Sequence, residues 1–347
     1  MRVAIVGGGT TGAAAAITLK DEPGIKVQVF DQGGRGPGGR ASHRRVDARS
    51  ASHTVLPDDK HLEPLDTRTF EFDHGCQFFR ADSSEMRALA AQWCESGWAA
   101  PWTGRFSRVV GPKIDDSPAA PDFFGLPGSE APVFVGIGGM QQLPRALLAN
   151  SGAAVERGTR VCSIARTESG AWALRGTRGL GALHDTSNAV AQQTADASLG
   201  EFDVVLLTDA SSSLGGWHRA SANLSTGGPT TSEADAAAAD AAVARVRSRV
   251  RVPLFTALVT LSQPIGDPDG VPLDAFSVVG GGSPLWFAAR SQSKPGIPRG
   301  GAECWTLVST PHYAVGQIEA TPMQEPTTGA FLPQEEVSIR AQSISLF

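Results

Sequence analysis

The amino-acid sequence predicts an α/β fold in which a doubly wound parallel sheet is interleaved with a second, antiparallel sheet. Two observations lead to this prediction. The chain opens with a β-branched run, a glycine-rich stretch, an alanine-rich helix and another β-branched run, which is the order of a parallel βαβ unit. Its second half contains short alternating runs bounded by turn residues, a pattern typical of antiparallel strands. The length of 347 residues fits one large domain or two that share the chain.

Three consecutive segments predict the opening βαβ unit. Residues 2–6 are apolar and rich in β-branched side chains, as in a buried parallel strand. Residues 13–20 are mostly alanine and predict a helix whose small side chains can face a sheet. A Pro-Gly pair ends this helix, and residues 25–31 form a second strand that ends in an acid.

A GxGxxG pattern lies between the first strand and the helix. Gly7 permits a tight turn, Gly9 lets the backbone approach a pyrophosphate, and Gly12 allows the helix to pack closely on the strand. The pyrophosphate would meet the unpaired N–H groups at the helix start. Asp31, 19 positions after Gly12, would accept hydrogen bonds from the adenosine ribose hydroxyls. The pattern in this context predicts a dinucleotide-binding site rather than a simple glycine turn.

The segment after Asp31 distinguishes between NAD and FAD, both of which fit an acid at this position. Residues 31–40 contain five glycines and a proline, so they cannot form the helix with which a nicotinamide dehydrogenase continues. Gly39 would allow close approach of the backbone, and Arg40 would place a fixed cation near the pyrophosphate. We interpret the arginines that follow, Arg44, Arg45 and Arg49, as a solvated basic patch.

The rest of the chain contains two predicted helices and several strands. Residues 85–98 have apolar side chains at helical spacing, and a second helix begins near residue 140 with Pro144 in its first turn. Three aromatic side chains are expected either in the core or in a substrate pocket: Trp98, Trp102 and Phe106. Antiparallel strands are expected at residues 155–164, 171–174, 252–262, 275–279, 286–290 and 305–309.

The two glycine loops and the terminal acid resemble those of the flavin-containing amine oxidase superfamily, which includes the phytoene desaturases. Residues 72–79 (Phe-Asp-His-Gly-Cys-Gln-Phe-Phe) resemble the Asp-x-Gly-Ala-Gln-Tyr segment of its renalase branch. Members of that branch are FAD-dependent oxidoreductases that act on reduced nicotinamide dinucleotides. Further resemblances follow in the family's order at residues 133–140, 159–161, 172–174, 202–208, 293–296 and 304–305.

The resemblance implies FAD as the cofactor and assigns it a set of contacts. Thr11 in the first loop, Arg40, and Gln77 with Phe78 would contact FAD, and Val161 would offer its backbone to the adenine. Phe78 stands where the family more often has tyrosine. The chain has a single tyrosine, so a tyrosine-walled cage for an amine substrate cannot be built. His74, beside the flavin, is expected to be a structural hydrogen-bond partner rather than a base.

The resemblance also divides the chain into an FAD/NAD(P)-binding domain and a substrate domain with an antiparallel sheet. Family members continue into a Gly-Asp segment that contacts the flavin and a closing helix, neither of which is expected here. This difference indicates either a truncated gene model or a degenerate member. The expected bounds are 1–80 and 131–212 for the FAD-binding domain, 81–130 and 213–320 for the substrate domain, with an insertion at 218–243, and 321–347 for a polar tail.

The expected activity is hydride transfer from a reduced nicotinamide-type substrate, such as a dihydro-NAD(P) isomer, to the flavin, with reoxidation by molecular oxygen. In a flavoenzyme the reactive group belongs to the cofactor, and the sequence has no GxSxG elbow, P-loop or HExxH motif. Two alternatives stay open: an amine oxidase or desaturase-like flavoenzyme, and a non-catalytic member.

Composition excludes several other classes of protein. The net charge of −5 argues against a partner that is a nucleic acid or an anionic membrane. No apolar run approaches the ~18–20 residues of a membrane helix. Because a strand is predicted from residue 2, a secretory signal is not expected. The four cysteines are far apart, which disfavours disulfides and a zinc site. A cytoplasmic protein without a metal centre is expected.

Overall fold

Two compact units make up the chain, and each is formed from separate stretches of sequence. The first unit comprises Met1–Gly39, Pro144–Arg251 and Pro322–Pro333, and the second comprises Arg40–Leu143, Val252–Thr321 and Gln334–Phe347. The computed structural model describes residues 1–33, 36–47, 69–111, 113–115, 132–178, 197–208, 252–266, 270–280, 282–299 and 302–322, with a few positions between 225 and 248.

The described strands are, in chain order, β1 (Arg2–Val6), β2 (Lys26–Phe30), β3 (His43–Asp47), β4 (Thr69–Asp73), β5 (Phe79–Arg80), β6 (Ala99–Pro101), β7 (Phe106–Val110), β8 (Lys113–Asp115), β9 (Val133–Gly136), β10 (Ala154–Glu156), β11 (Arg160–Arg166), β12 (Trp172–Thr177), β13 (Ala197–Phe202), β14 (Val204–Leu207), β15 (Ser225–Thr226), β16 (Thr256–Leu261), β17 (Ala275–Val279), β18 (Leu285–Arg290) and β19 (Glu303–Ser309). The fully described helices are α1 (Thr10–Thr18), α2 (Ser84–Glu95), α3 (Gln142–Ser151) and α4 (Pro311–Ala320). Short 3₁₀ turns span Gly39–Ala41 and Ser291–Ser293.

A four-stranded parallel sheet with the order β10–β2–β1–β14 lies in the first unit. In the centre, β1 is flanked by residues 27–30 on one side and residues 204–207 on the other. Val3, Ala4 and Ile5 are buried, which accounts for the uninterrupted apolar run in the sequence. The predicted α/β fold with a doubly wound parallel sheet is confirmed.

Residues 155–164 do not form one strand of an antiparallel pair, and this part of the sequence prediction is wrong. β10 joins the parallel sheet beside β2, whereas β11 pairs antiparallel with β12. Gly158 lies between β10 and β11 with a φ of +60°, a left-handed conformation that interrupts an extended run. The sheet β13–β12–β11–β15 shares a core with the parallel sheet, formed by Ala4, Val6, Phe30, Val161, Ile164, Leu174, Leu199 and Phe202.

A six-stranded sheet with the order β16–β19–β18–β17–β7–β8 dominates the second unit. Strands are present at each of the runs predicted in this region, but the sheet is mixed rather than purely antiparallel. β7 and β17 run parallel, with Phe106 opposite Ala275, while the other pairs are antiparallel. The same unit holds the ribbon β3–β4 and the small sheet β5–β9–β6.

The helices begin where their sequences offer a cap. The Ser83 hydroxyl accepts a hydrogen bond at the start of α2, and Pro144 is the third residue of α3, where proline is tolerated. No helix was predicted for α4, although the Thr310 hydroxyl accepts from the Tyr313 amide at 3.2 Å and a proline follows Thr310. Among the described residues no helix has the length and apolar character to cross a membrane.

The predicted domain boundaries stay a prediction, because they group residues by cofactor contact whereas the two units group them by packing. Arg49 and most of the predicted insertion lie outside the described residues, as does the tail from residue 323.

Candidate dinucleotide-binding site

The first glycine loop connects β1 to α1 in a conformation that requires glycine. Gly7 has a φ of +104°, and its N–H donates to the carbonyl of Phe30 at 2.8 Å. A Cβ atom on Gly12 would overlap the carbonyl oxygen of Gly7, so a larger residue would push the helix from the loop. The mechanical roles predicted for Gly7 and Gly12 are therefore present.

Asp31 supports both glycine loops through their backbone. Its Oδ2 accepts from the N–H of Gly8 at 2.7 Å, and its Oδ1 accepts from the N–H of Gly33 at 2.8 Å. The residue is 8% exposed. Sequence reasoning missed this support, and the ribose contact of Asp31 stays a prediction.

The second glycine loop lies against the first. A Cβ atom on Gly39, which has a φ of +56°, would be 3.6 Å from the Cα of Gly9. A Cβ atom on Gly8 would be only 2.9 Å from the Cβ of Pro37. The first unit therefore brings together Gly7, Gly9, Gly12, Asp31 and Gly39, as the sequence predicts.

The start of α1 is open to an anion. Gly9 occupies the N-cap position without a side-chain hydrogen bond, and the first turn has no acidic residue. Thr10 and Thr11 are exposed. The first N–H groups of a helix have no partner within it, and the helix dipole makes this end positive. Thr11 lies in this first turn, and its predicted contact with FAD stays a prediction.

Val161 is held by the core of the first unit. Its side chain is 4% exposed, and its backbone is paired opposite Gly176 of β12. Arg160, the preceding residue, donates from Nε to the side-chain oxygen of Gln32 at 3.3 Å, which links β11 to the second glycine loop. Because the Val161 side chain is buried, the predicted adenine contact would come from its backbone.

Arg40, Gln77 and Phe78 belong to the second unit. The Arg40 side chain is exposed, while its carbonyl oxygen accepts from the N–H of Cys76 at 2.9 Å. A Cβ atom on Gly75 would overlap that oxygen, so glycine is needed there. His74 contacts the carbonyl of Ser42 through Nδ1 at 2.6 Å, a structural hydrogen bond of the kind expected for it.

The Gln77 side chain is turned into the protein. It is 5% exposed, and its Nε2 donates to the carbonyls of Asp73 at 2.5 Å and Gly75 at 3.1 Å. Its Oε1 accepts from Lys294 at 3.1 Å. These bonds fix the segment 73–77, and the predicted FAD contact of Gln77 stays a prediction.

Phe78 is part of an aromatic cluster. Its ring centroid lies 6.3 Å from that of Trp102 and 6.1 Å from that of Phe287. Trp102 is 2% exposed, and its ring centroid lies 4.8 Å from that of Phe106. Its Nε1 donates to the hydroxyl of Ser293 at 3.0 Å. Of the two places expected for Trp102, the structure has it in the core.

Lys294 is the residue of this region that sequence reasoning missed. Its ammonium group lies 2.8 Å from Asp73 Oδ2 and 5.2 Å from the ring centroid of Trp102, with the side chains of Lys294 and Asp73 each 1% exposed. The signal was the Ser-Lys-Pro-Gly sequence, in which a lysine is followed by a turn. Its acidic partner is not visible in the sequence.

A second buried charged group lies on the ribbon β3–β4. Glu71 accepts from Arg45 Nε at 2.7 Å and lies 2.9 Å from His43 Nδ1, and all three residues are buried. The interpretation of Arg45 as part of a solvated patch is therefore wrong: its cation is buried because Glu71 neutralises it. Gly139 has a φ of +108° and no side chain, so the carboxylates of Glu71 and Asp73 can lie close to the turn that contains Gly139.

Cys76 lies beside the buried ion pair of Asp73 with Lys294. Burial raises the pKa of its thiol, and the nearby Asp73 carboxylate raises it further, while Lys294 and Arg40 oppose the shift. Its Sγ donates to the carbonyl of Phe78 at 3.1 Å. Cys76 is therefore a neutral, hydrogen-bonded thiol at neutral pH.

A family model for the NAD(P)-binding Rossmann-like domain matches residues 5–93, which include both glycine loops and Gln77. Among solved structures, wild-type putrescine oxidase bound to putrescine has a TM-score of 0.54 and 12% identity, with 93% of this chain and 78% of that chain covered.

Two further structures are similar over nearly the whole chain. A protein described as a protoporphyrinogen oxidase from Exiguobacterium sp. 255-15 has a TM-score of 0.53 and 11% identity, with 97% of this chain and 85% of that chain covered. A structural-genomics target from Pyrococcus furiosus has a TM-score of 0.51 and 10% identity, covering 99% and 95%. At these identities the likeness shows the fold. A comparison with curated protein sequences found no match.

Proposed function

We propose that the protein is an FAD-dependent oxidoreductase. The observation that carries this proposal is the pair of adjoining glycine loops in the first unit. The first loop presents the open start of α1, and the second loop continues into the 3₁₀ turn Gly39–Ala41 and the strand β3 rather than into a second helix. A nicotinamide dehydrogenase would normally have a helix there, so the dinucleotide proposed is FAD.

The residues of the first unit fit such a ligand. Gly9 and Gly39 approach each other where neither has a side chain. Among the described residues, a Cβ atom on Gly9 would have only the Gly38 carbonyl, 3.9 Å away, within contact distance. The N–H groups of Thr10 and Thr11 would bind the diphosphate, and Asp31 would accept from the ribose hydroxyls. Arg40, which follows the second loop, would add a cation for the phosphates.

We further propose that the substrate is a reduced nicotinamide-type molecule and that molecular oxygen is the final acceptor. FAD supplies the acceptor for a hydride, and two electrons with two protons then reduce oxygen to hydrogen peroxide. The single tyrosine of the sequence supports this substrate class over an amine, because a tyrosine-walled cage for an amine cannot be built. Tyr313, the single tyrosine of the sequence, lies at the start of α4, where its ring contacts Phe255 at 6.5 Å.

Residues of the second unit would position the segment that faces the substrate. Lys294 binds both Asp73 and Gln77, and the Gln77 amide binds the Asp73 and Gly75 carbonyls, so the backbone of residues 73–77 has one defined conformation. Phe78 packs into the aromatic cluster directly after this segment. A fixed backbone and a water-excluding cluster are what a hydride transfer requires from the protein.

An amine oxidase is the second candidate function. It is favoured by the likeness in fold to putrescine oxidase, which extends over 93% of this chain. The two candidates differ in substrate, and both require bound FAD.

The visible spectrum of the purified protein, with and without added FAD, tests the proposal. We expect a bound-flavin spectrum that survives desalting. Anaerobic addition of dihydro-nicotinamide dinucleotides should then bleach it, while putrescine and other amines leave it unchanged. Bleaching by amines alone would support the second candidate. A protein that stays colourless after incubation with FAD would contradict both and support a non-catalytic member.

A further inference from the structure

We propose that Thr208 is a positioning residue of the dinucleotide site, and that its hydroxyl group holds the first glycine loop in its binding conformation. Thr208 directly follows β14, about 200 positions after the loop. The inference rests on the proposed function, because it concerns how the same site is held open for a diphosphate.

The Thr208 side chain binds the backbone at the end of β1. Its Oγ1 donates a hydrogen shared between the carbonyl oxygens of Val6, at 2.9 Å, and Gly7, at 3.1 Å. Its own N–H also donates to Val6 at 3.1 Å. The same Oγ1 lies 3.1 Å from the position that a Cβ atom on Gly12 would take, so Thr208 is at the point where the loop meets α1.

The peptide bond between Gly7 and Gly8 is thereby held at both of its ends. The C=O and N–H of a trans peptide point in opposite directions in one plane. The carbonyl belongs to Gly7 and is bound by Thr208, while the N–H belongs to Gly8 and is bound by Asp31 Oδ2 at 2.7 Å. Thr208 and Asp31, at the ends of β14 and β2, thus fix the orientation of this peptide plane.

The fixed peptide plane determines what the loop offers a ligand. Gly7 and Gly8 have no side chains to restrict rotation, and Gly7 has a φ of +104°. If this peptide turned over, the Gly7 carbonyl would face the diphosphate and repel it. With the carbonyl bound to Thr208, the following N–H groups at the start of α1 are the groups that an anion meets.

Two substitutions of Thr208 distinguish the role of its hydroxyl group from the role of its side-chain shape. Thr208→Val keeps the branched volume and removes the donor, whereas Thr208→Ser keeps the donor. Thr18→Val is the matched control, because the Thr18 hydroxyl donates to the Ala14 carbonyl in the exposed last turn of α1. The measured quantities are the Kd for FAD, by titration of the apoprotein, and the amide hydrogen exchange of residues 7–12 in the apoprotein.

We expect Thr208→Val to raise the Kd for FAD by about tenfold, the effect of losing one hydrogen bond that organises the site. Amide exchange in residues 7–12 should become several-fold faster. Thr208→Ser and Thr18→Val should stay within about twofold of the unsubstituted protein in both measurements. Recovery by serine would distinguish positioning by the hydroxyl from a packing role of the methyl group.

Unchanged exchange in Thr208→Val, or a serine variant as impaired as the valine variant, would overturn the inference. The exchange measurement does not depend on FAD. If the unsubstituted protein binds no FAD but Thr208→Val still exchanges faster, the proposed function fails while the support of the loop by Thr208 stands.

Discussion

Lys294 and Asp73 form a buried ion pair across 221 residues of sequence, with 2.8 Å between Nζ and Oδ2. Asp73 ends β4 and also accepts from the Met140 amide at 2.8 Å, so three separate segments of the second unit meet at one carboxylate. The pair sets the stability of the Gln77 segment, because Lys294 holds Gln77 as well.

Removal of one partner of this pair should be strongly destabilising. We expect Lys294→Met to lower the free energy of unfolding by about 3–5 kcal/mol, because it leaves the Asp73 carboxylate buried without its cation. The double variant Asp73→Asn/Lys294→Met should recover part of this loss. Urea denaturation followed by circular dichroism measures the effect.

The control is the exposed pair of Arg80 with Asp82, whose acidic side chain is 62% exposed. Asp82→Asn should cost less than about 1 kcal/mol, because water already solvates the Asp82 carboxylate. Equal losses at the two pairs would contradict this account of burial.

Gly12→Ala should damage both stability and cofactor binding. The added methyl group overlaps the Gly7 carbonyl, so the loop and α1 must separate. We expect a loss of about 1–3 kcal/mol in the free energy of unfolding, together with loss of FAD binding in a titration. Gly316→Ala in α4, where no atom of the described residues lies within 4 Å of the added atom, should instead stabilise the protein by about 0.5–1 kcal/mol. A Gly12 variant with normal FAD affinity would sink the assigned role.

Arg40→Ala should release FAD without unfolding the protein. The side chain is exposed, so we expect a change of less than about 0.5 kcal/mol in the free energy of unfolding. A charge-assisted bond to phosphate is worth more, so the Kd for FAD should rise at least about tenfold. Lys20→Ala, which removes an exposed cation of the first unit, is the control. Unchanged flavin absorbance in purified Arg40→Ala would rule out the assigned contact.

Cys304 should make the protein less stable in alkali. Burial raises the pKa of its thiol from 9.0 to about 11, and the side chain is 1% exposed. Below pH 9 the thiol is protonated in both states and contributes no pH dependence. Above pH 9 the unfolded chain loses the proton first, so the free energy of unfolding should fall by about 2 kcal/mol near pH 10.5.

Comparison with Cys304→Ala isolates this effect, because every other ionisable group is present in both proteins. The difference between them in free energy of unfolding should narrow from about pH 8 to about pH 10.5. A constant difference would show that Cys304 does not titrate as its burial implies.

The sequence predicted the elements whose signal is local. β1 is present at the predicted residues, and β2 is one residue shorter at each end than the run 25–31. Such boundaries can be predicted because glycines and runs of β-branched residues mark them in the sequence. The glycine roles in the first loop could also be predicted, since each follows from backbone geometry.

Partners that are far apart in sequence could not be predicted in this way. The burial of Arg45 depends on Glu71 in the neighbouring strand, and that of Lys294 depends on Asp73. A charged residue looks the same in a sequence whether water or an opposite charge solvates it. The pairing of β10 with β2, rather than with its neighbours along the chain, is a choice of the same non-local kind.

The strand order β10–β2–β1–β14 has a consequence for the newly made chain. β1 and β2 leave the ribosome before their outer neighbours in the sheet, which end at residues 156 and 207. At a translation rate of about 5–20 residues per second, roughly 10–35 s pass before the last strand arrives. Throughout that time the nascent chain exposes an apolar two-stranded fragment with open edges, which invites aggregation. We therefore expect the yield of folded protein to rise when growth is cooled or when holding chaperones are abundant.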